Sequence, residues 1–564
     1  MKHAIIEPLE SRIAPASIIV NTLSDQIDSP GSHTISLRDA IAAANASTHP
    51  TTILFKSGLT GTISLSPGAS YGEFLIAHPV TIIGPGPGKL IISASGSSSR
   101  IFDLEASASI SGMSLIDGNG TGADDNGSGG AIYSNHSLSL SNVVISGNTN
   151  SSAEVGGGVY VLGTSPGVSV TVKNCVISGN QSDVGAGGIE ILATKSVQIL
   201  NTLISGNTGA STSNYGGGLF VQVTSSSSGI SLSGDTIVNN KAGSSSLGGG
   251  AYLEGNGAPI SLVNSTISGN TSATAAGGLF LYQPVGKGTV SVTNTLVSNN
   301  SGTTGGGIDA VGGKKMTFSG VTVDGNHASQ QGGGLYVNGN TSAVVISVTG
   351  SHIVDNIASS NGGGIFAHNN TSLALVGSTV GDNRAGGGGG GVYITGNGNL
   401  TITGGAVSGN FTSGVGGGIY APSGGNVTIT GTTLSHNICN ASDGGGAILT
   451  NTSETVKLTG ITVTGNDSIG NDGGGVFIDA SASTSRFLIT GGNFSGNFAG
   501  DDGGGIEFLG IGSGKISGAH ITGNIAADSA GGLFDNLTTP ADLTITGTTV
   551  ANNIALYDPN ALGI

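Results

Sequence analysis

The chain is 564 residues long, with 105 glycines and no tryptophan, and its 32 acidic against 16 basic side chains give a formal charge of −16. Such a surface repels a phosphate backbone, which removes nucleic acid from the candidate partners. With 36% hydrophobic residues and a mean hydropathy of +0.19 it is too apolar for a solvated coil, and no run approaches the roughly 18 apolar residues of a membrane-spanning helix.

Residues 1–17 are expected to form an N-terminal tag or export-related segment. Lys2 supplies a positive charge, but Ala4-Ile5-Ile6 falls well short of the apolar core of a signal peptide. Residues 18–50 are expected to form a cap with one helix near 36–46. Ser36 and Asp39 stand at the spacing of a capping box, and Leu37, Ala40, Ile41 and Ala44 fall on one face. A solenoid end leaves an open core and unpaired strand edges, and an amphipathic helix there closes it. The plainer alternative is a helix lying along the side of the rod.

Residues 51–564 repeat, with about 16 regular coils from residue 100 onward. Sixteen Asn residues, beginning Asn119, Asn148, Asn180 and Asn207 and ending at Asn553, recur about every 29 residues, in the range of solenoids. Three places before each stands Ile, Val, Leu or Phe. From Asn148 onward the residue six places before is Gly or Asn, as at Asn142, Asn174, Gly234 and Gly547. Ahead of it comes an alternating segment such as Leu400-Thr401-Ile402-Thr403, the pattern of a half-buried strand. Gly and Asn enter the left-handed backbone region at low cost, so these columns mark recurring bends. A GGG segment marks a third corner where backbone passes close to backbone. The distance from Asn to the first following Gly varies, so that corner is a loop of tolerated insertions.

These patterns predict an all-β chain: a single-stranded, right-handed parallel β-helix of the pectin-lyase-like type with an N-terminal capping helix. A leucine-rich repeat shares the period and an Asn ladder, but it needs a helical segment in each repeat. The calcium-binding nonapeptide roll needs a period of nine, and neither requirement is met.

The segment SLRDAIAAAN (36–45) resembles the N-terminal motif of CSLREA-type domains, with Ile35 where that motif has Cys. GGAI at 129–132 and 445–448, and FSGN at 494–497, resemble the repeats of polymorphic outer membrane proteins, although one coil alone carries the Phe. Glu7-Pro8-Leu9-Glu10-Ser11-Arg12 is similar to the LEPR-type tag of large bacterial surface proteins. The resemblance implies a secreted or cell-surface, outer-membrane-associated protein of adhesin type. The 11 residues after Asn553 are expected to hold no membrane β-barrel.

Cys175 and Cys439 lie nine repeats apart, too far to bridge, and the ten His show no zinc-ligand spacing. The Asn column itself is best explained by amides bonding to one another and to turn backbone, although a ladder of amides offers ligand contacts as well. Two constellations carry more chemistry. Asp443, Asp472 and Asp502 precede GGG in three successive coils, where stacking about 5 Å apart would suit a Ca²⁺ ion or a glycosidase pair. The bland reading is a solvated turn that favours Asp. Two places after GGG stands an aromatic in ten coils, including Tyr336, Phe366, Tyr393 and Tyr420, and an acid at Glu190, Asp309 and Glu507. Acceptance of acids places this column on the outward face, where it forms either a stabilising cross-strand stack or a contact surface.

Three functions are compatible with these features. The leading one is a noncatalytic, surface-associated protein that binds a glycan or a surface protein. The second is a polysaccharide lyase or hydrolase, weakened by only 5 Arg and 11 Lys with none in a fixed strand position. The third is a structural spacer.

Overall fold

A computed structural model describes residues 17–557 apart from 30, 68–71, 123–126, 151–154, 164, 166, 194, 210–214, 225–228, 285–287, 340–342, 424, 441–443, 452–454, 471, 481, 483 and 539–541. One coil explains the rest. Leu400–Thr403 and Ala406–Ser408 lie in the first sheet, Phe411–Thr412 in the third and Ile419–Ala421 in the second. Each strand pairs in parallel with its counterpart one coil later: Leu400 with Val427, Ala406 with Thr433, Phe411 with Ile438 and Ile419 with Ile448. Repetition builds a first sheet of 35 strands, a second running from Phe74–Ile76 to Leu533–Leu537, and a third of ten very short strands.

Alternation along these strands sends one set of side chains inward. In this coil Leu400, Ile402, Val407 and Ile419 are fully buried in the continuous core. Each such side chain contributes roughly 1.5–3 kcal/mol, so a coil is held by a handful of aliphatics whose inward phase is set by period 2.

Two bends recur in the left-handed region. The column six places before the Asn occupies it as expected, for example Asn174 (φ 52°) and Gly350 (φ 54°). At the second bend the positive φ belongs to the residue before the ladder Asn: Gly409 (φ 67°), Asp355 (φ 56°) and His436 (φ 54°). The ladder Asn itself turns inward, and Asn356 and Asn410 are fully buried. The αL role first expected of the ladder Asn is therefore displaced by one residue. Inside, each Nδ2 from Asn148 to Asn524 donates to the Oδ1 of the Asn in the following coil at 2.8–3.0 Å.

Asn119 does not join this ladder. Leu115 pairs with Ile145, so Gly118 aligns with Asn148, and Asn119 caps its own turn by accepting from Thr121 N–H. The apparent Ile116-x-x-Asn119 match is one residue out of frame.

At the third corner the glycines are required by space. A Cβ on Gly363 would lie 2.4 Å from the Gly390 carbonyl oxygen, and Gly362 holds φ 65°.

Helix α1 spans Leu37–Asn45, with Ser36 and Asp39 bonded reciprocally as a capping box. Leu37, Ala40, Ile41 and Ala44 enter the same core as the coils, and the helix packs on Ser17–Val20, Thr51–Phe55 and Phe74–Ile76. Toward the opposite end, among the described residues, Ile545 and Ile554 are 42% and 49% exposed.

Candidate functional site

The outward face of the second sheet carries the aromatic column in exact register. Tyr133, Tyr160, Glu190, Phe220, Tyr252, Phe280, Asp309 and Tyr336 follow one another, then Phe366, Tyr393, Tyr420, Leu449, Phe477 and Glu507. The pleat phase places these side chains outside the coil, yet most are not open to water. Phe220, Tyr252 and Phe280 form a second apolar cluster with Ala186, Ala275 and Ala276, residues of the third-corner loops, which fold back over the sheet.

Of the four rings singled out from the sequence, three stack face to face and the fourth meets its neighbour edge-on. Tyr336 and Phe366 lie 5.5 Å apart at 11°, Phe366 and Tyr393 5.0 Å apart at 16°, and Tyr393 and Tyr420 meet edge-on at 5.0 Å. On this outward face the rings are largely covered. Phe366 is 4% exposed, and Tyr336, Tyr393 and Tyr420 are partly covered. The Tyr336 hydroxyl shares a 2.6 Å hydrogen bond with His368 Nε2, and Gly388 lies against the rings of Tyr393 and Tyr420. The loops supply this cover because their small residues fit closely over flat rings.

The acids in the column are buried with them, at 1% exposure for Glu190, 3% for Asp309 and 2% for Glu507. Ala186 N–H donates to Glu190 Oε2 at 3.1 Å and Thr304 Oγ1 to Asp309 Oδ2 at 2.7 Å. Glu507 Oε2 has no hydrogen-bond partner. Desolvation pushes the three carboxyls up to about 8, 7 and 9 respectively, with Asp472 and Asp502 adding repulsion at Glu507. Asp103 in the same column differs, because Arg100 lies 3.5 Å from it and 3.2 Å from Glu73.

Beyond Tyr420 the cover opens into a cleft of about 340 Å³, lined by Val415, Tyr420, Leu449, Asp472, Phe477, Asp479 and Leu509. Its volume falls in the range of small-ligand sites. It unites members of both sequence constellations: Tyr420 from the aromatic column and Asp472 from the acids before GGG. Burial raises the Asp479 carboxyl above its usual range. Asp479 and Leu509 had not been singled out in the sequence. They belong to a second outward row, two residues past the aromatics, whose polar members Glu254, Asn338 and His368 are the signal that could have found it.

Of the three acids expected to stack, Asp472 and Asp502 stand in successive turns, Gly473 N–H donating to Asp502 O. Asp443 lies outside the described residues. The carboxylates that converge are Asp501, Asp502 and Asp528, with one oxygen from each within 4.8 Å of the others. Hard oxygen donors at this separation are those that hold a calcium-like ion. Asp502 also has a turn-capping duty, since its Oδ1 accepts from Ser529 N–H at 2.8 Å.

Residues 249–433 match the family model described as "Right handed beta helix region". The fold is a right-handed parallel β-helix. No curated protein matches the chain. Among solved structures it is similar to the "Crystal structure of pectate lyase Pel9A", at 13% identity and a TM-score of 0.27, over 69% of this chain and 76% of that one. At that distance no argument about activity rests on the likeness. Among the described residues no helix is long and apolar enough to cross a membrane.

Proposed function

We propose that the protein is a noncatalytic β-helix of adhesin type, secreted or displayed at the outer membrane, that binds glycan through the cleft at Tyr420, Phe477 and Asp479. The observation that carries this reading is the juxtaposition of two aromatic rings with the carboxylates Asp472 and Asp479 on a rigid sheet. Rings offer an apolar face to the C–H side of a pyranose, and carboxylates accept from its hydroxyls. A surface protein as the partner, or a purely spacer role, are the competing outcomes.

A polysaccharide-cleaving enzyme is the second reading. It is favoured by Glu507, a carboxyl kept protonated beside Asp472 and Asp502, as an acid catalyst must be. Against it stands the burial of that side chain, 2% exposed and beyond the reach of a sugar.

A glycan array tests the reading. Binding is expected for the wild type and is expected to fall about tenfold or more in Asp479→Asn, with the unfolding midpoint unchanged because Asp479 is only half-buried. Release of reducing ends or unsaturated products from any polysaccharide favours the enzyme, and an array without hits leaves a protein partner or the spacer.

A further inference from the structure

The electrostatics of the cleft specify more than a sugar. Between residues 400 and 564 the chain has three cationic side chains apart from histidine, Lys457, Arg486 and Lys515. All three sit on strands of the first sheet: Thr455–Thr459, Arg486–Thr490 and Ser513–Ser517. On the loop side, Asp472 and Asp479 line the cleft, and Asp501, Asp502 and Asp528 converge in the turns that continue from Asp472. Gly473 N–H donates to Asp502 O and Asp528 N–H to Asp501 O, so these turns are stacked coil on coil.

Carboxylates crowded in this way raise one another's proton affinity: partial burial pushes the Asp501 carboxyl up, and Asp502 and Asp528 add to it. A ligand that brings positive charge relieves that repulsion, whereas a uronate would add to it. The half-buried ring of Tyr420 also suits a cation, which the negative face of an aromatic attracts.

Resting on the glycan reading above, we propose that the cleft is selective for a cationic amino-sugar chain, a glucosamine-type polymer with free amino groups. Each coil advances by about 4.8 Å, close to one pyranose unit in an extended chain. A sugar chain lying along the rod axis therefore advances by about one unit per coil past acids that recur coil by coil, at Asp472, Asp501–Asp502 and Asp528. Charge and repeat match together, which neither a neutral glycan nor a compact polyamine provides.

The test is a calorimetric titration of the full chain with de-N-acetylated glucosamine oligomers, their fully N-acetylated counterparts, oligogalacturonate and spermine. Binding at least about tenfold tighter to the free-amine oligomer than to the acetylated one is expected. It is expected to weaken in salt and to be lost in Asp479→Asn, and to be retained in Asp324→Asn, which removes a charge from the first sheet. Equal or tighter binding of the acetylated oligomer or of oligogalacturonate overturns the amino-sugar inference and leaves glycan binding standing. Spermine binding as tightly as the oligomer overturns it as well, by showing charge attraction alone. Undiminished binding in Asp479→Asn overturns the placement in the cleft, and failure of every sugar overturns both this inference and the glycan reading.

Discussion

Replacing Asn356 with valine is expected to destabilise the rod by roughly 3–5 kcal/mol, measured by denaturant unfolding. The size follows from what the side chain satisfies. Its Oδ1 accepts from the backbone N–H of Asn326 at 3.0 Å and from Asn326 Nδ2 at 2.9 Å. Its Nδ2 donates to Val323 O at 2.9 Å and to Asn383 Oδ1 at 3.0 Å. Valine fills much of the space but makes none of these bonds: the Asn326 N–H is left buried without its acceptor, while Asn326 Nδ2 keeps Val297 O and Asn383 Oδ1 keeps the backbone N–H of residue 356, and each unmet buried group costs about 1–3 kcal/mol before relaxation. The neighbouring substitution Asp355→Gly separates this account from one based on backbone strain. Asp355 holds φ 56° and is repelled by Asp324 and Asp382, so glycine there is expected to leave the midpoint unchanged or raise it. Equal losses in the two variants would show that the bend, and not the amide ladder, holds the coil.

Stability is also expected to fall as pH rises from about 4.5 to about 9. Glu190, Asp309 and Glu507 have folded-state values raised to about 8, 7 and 9, above those of the unfolded chain. Below the unfolded value both states are protonated and the groups contribute no pH dependence. Between the two values the unfolded chain has released the proton while the folded chain retains it, so stability drops by about 1.4 kcal/mol per pH unit per group. Above the folded value the loss levels off. Glu190→Gln keeps the shape and removes the titration, so its pH–stability curve is expected to be flatter than the wild type between pH 5 and 8. Parallel curves for the two proteins would mean that Glu190 is ionised in the folded state.

Much of this architecture was legible in the residues. Helix α1, its capping box and its four buried residues follow from local chemistry, and the strand phase follows from alternation, so both were read correctly from short windows. The misreadings arose where a contact is made by distant chain. The αL residue and the inward Asn are adjacent in sequence, and only the stacking partner, about 30 residues away, decides which of them turns into the core. Pleat alternation correctly put Tyr336, Phe366, Tyr393 and Tyr420 outside the coil, but the loops that return over them vary in length and leave no periodic trace. The cleft was half visible: its acids and rings were noted separately, and nothing in the sequence joined them.

The ladder makes every coil interchangeable at its seams. Asn356, Asn383, Asn410 and Asn437 are each 27 residues apart, and each hands one backbone and one side-chain amide hydrogen forward and receives the same two from behind. Excising residues 384–410 would set Asn383 against Asn437 and Phe366 against Tyr420, restoring every bond type that the deletion removed. Duplication or loss of one gene segment of that size therefore changes the reach of the molecule in steps of about 4.8 Å without opening a hole in it. Length is a heritable dial in this protein, and the end capped by α1 stays the same at every setting.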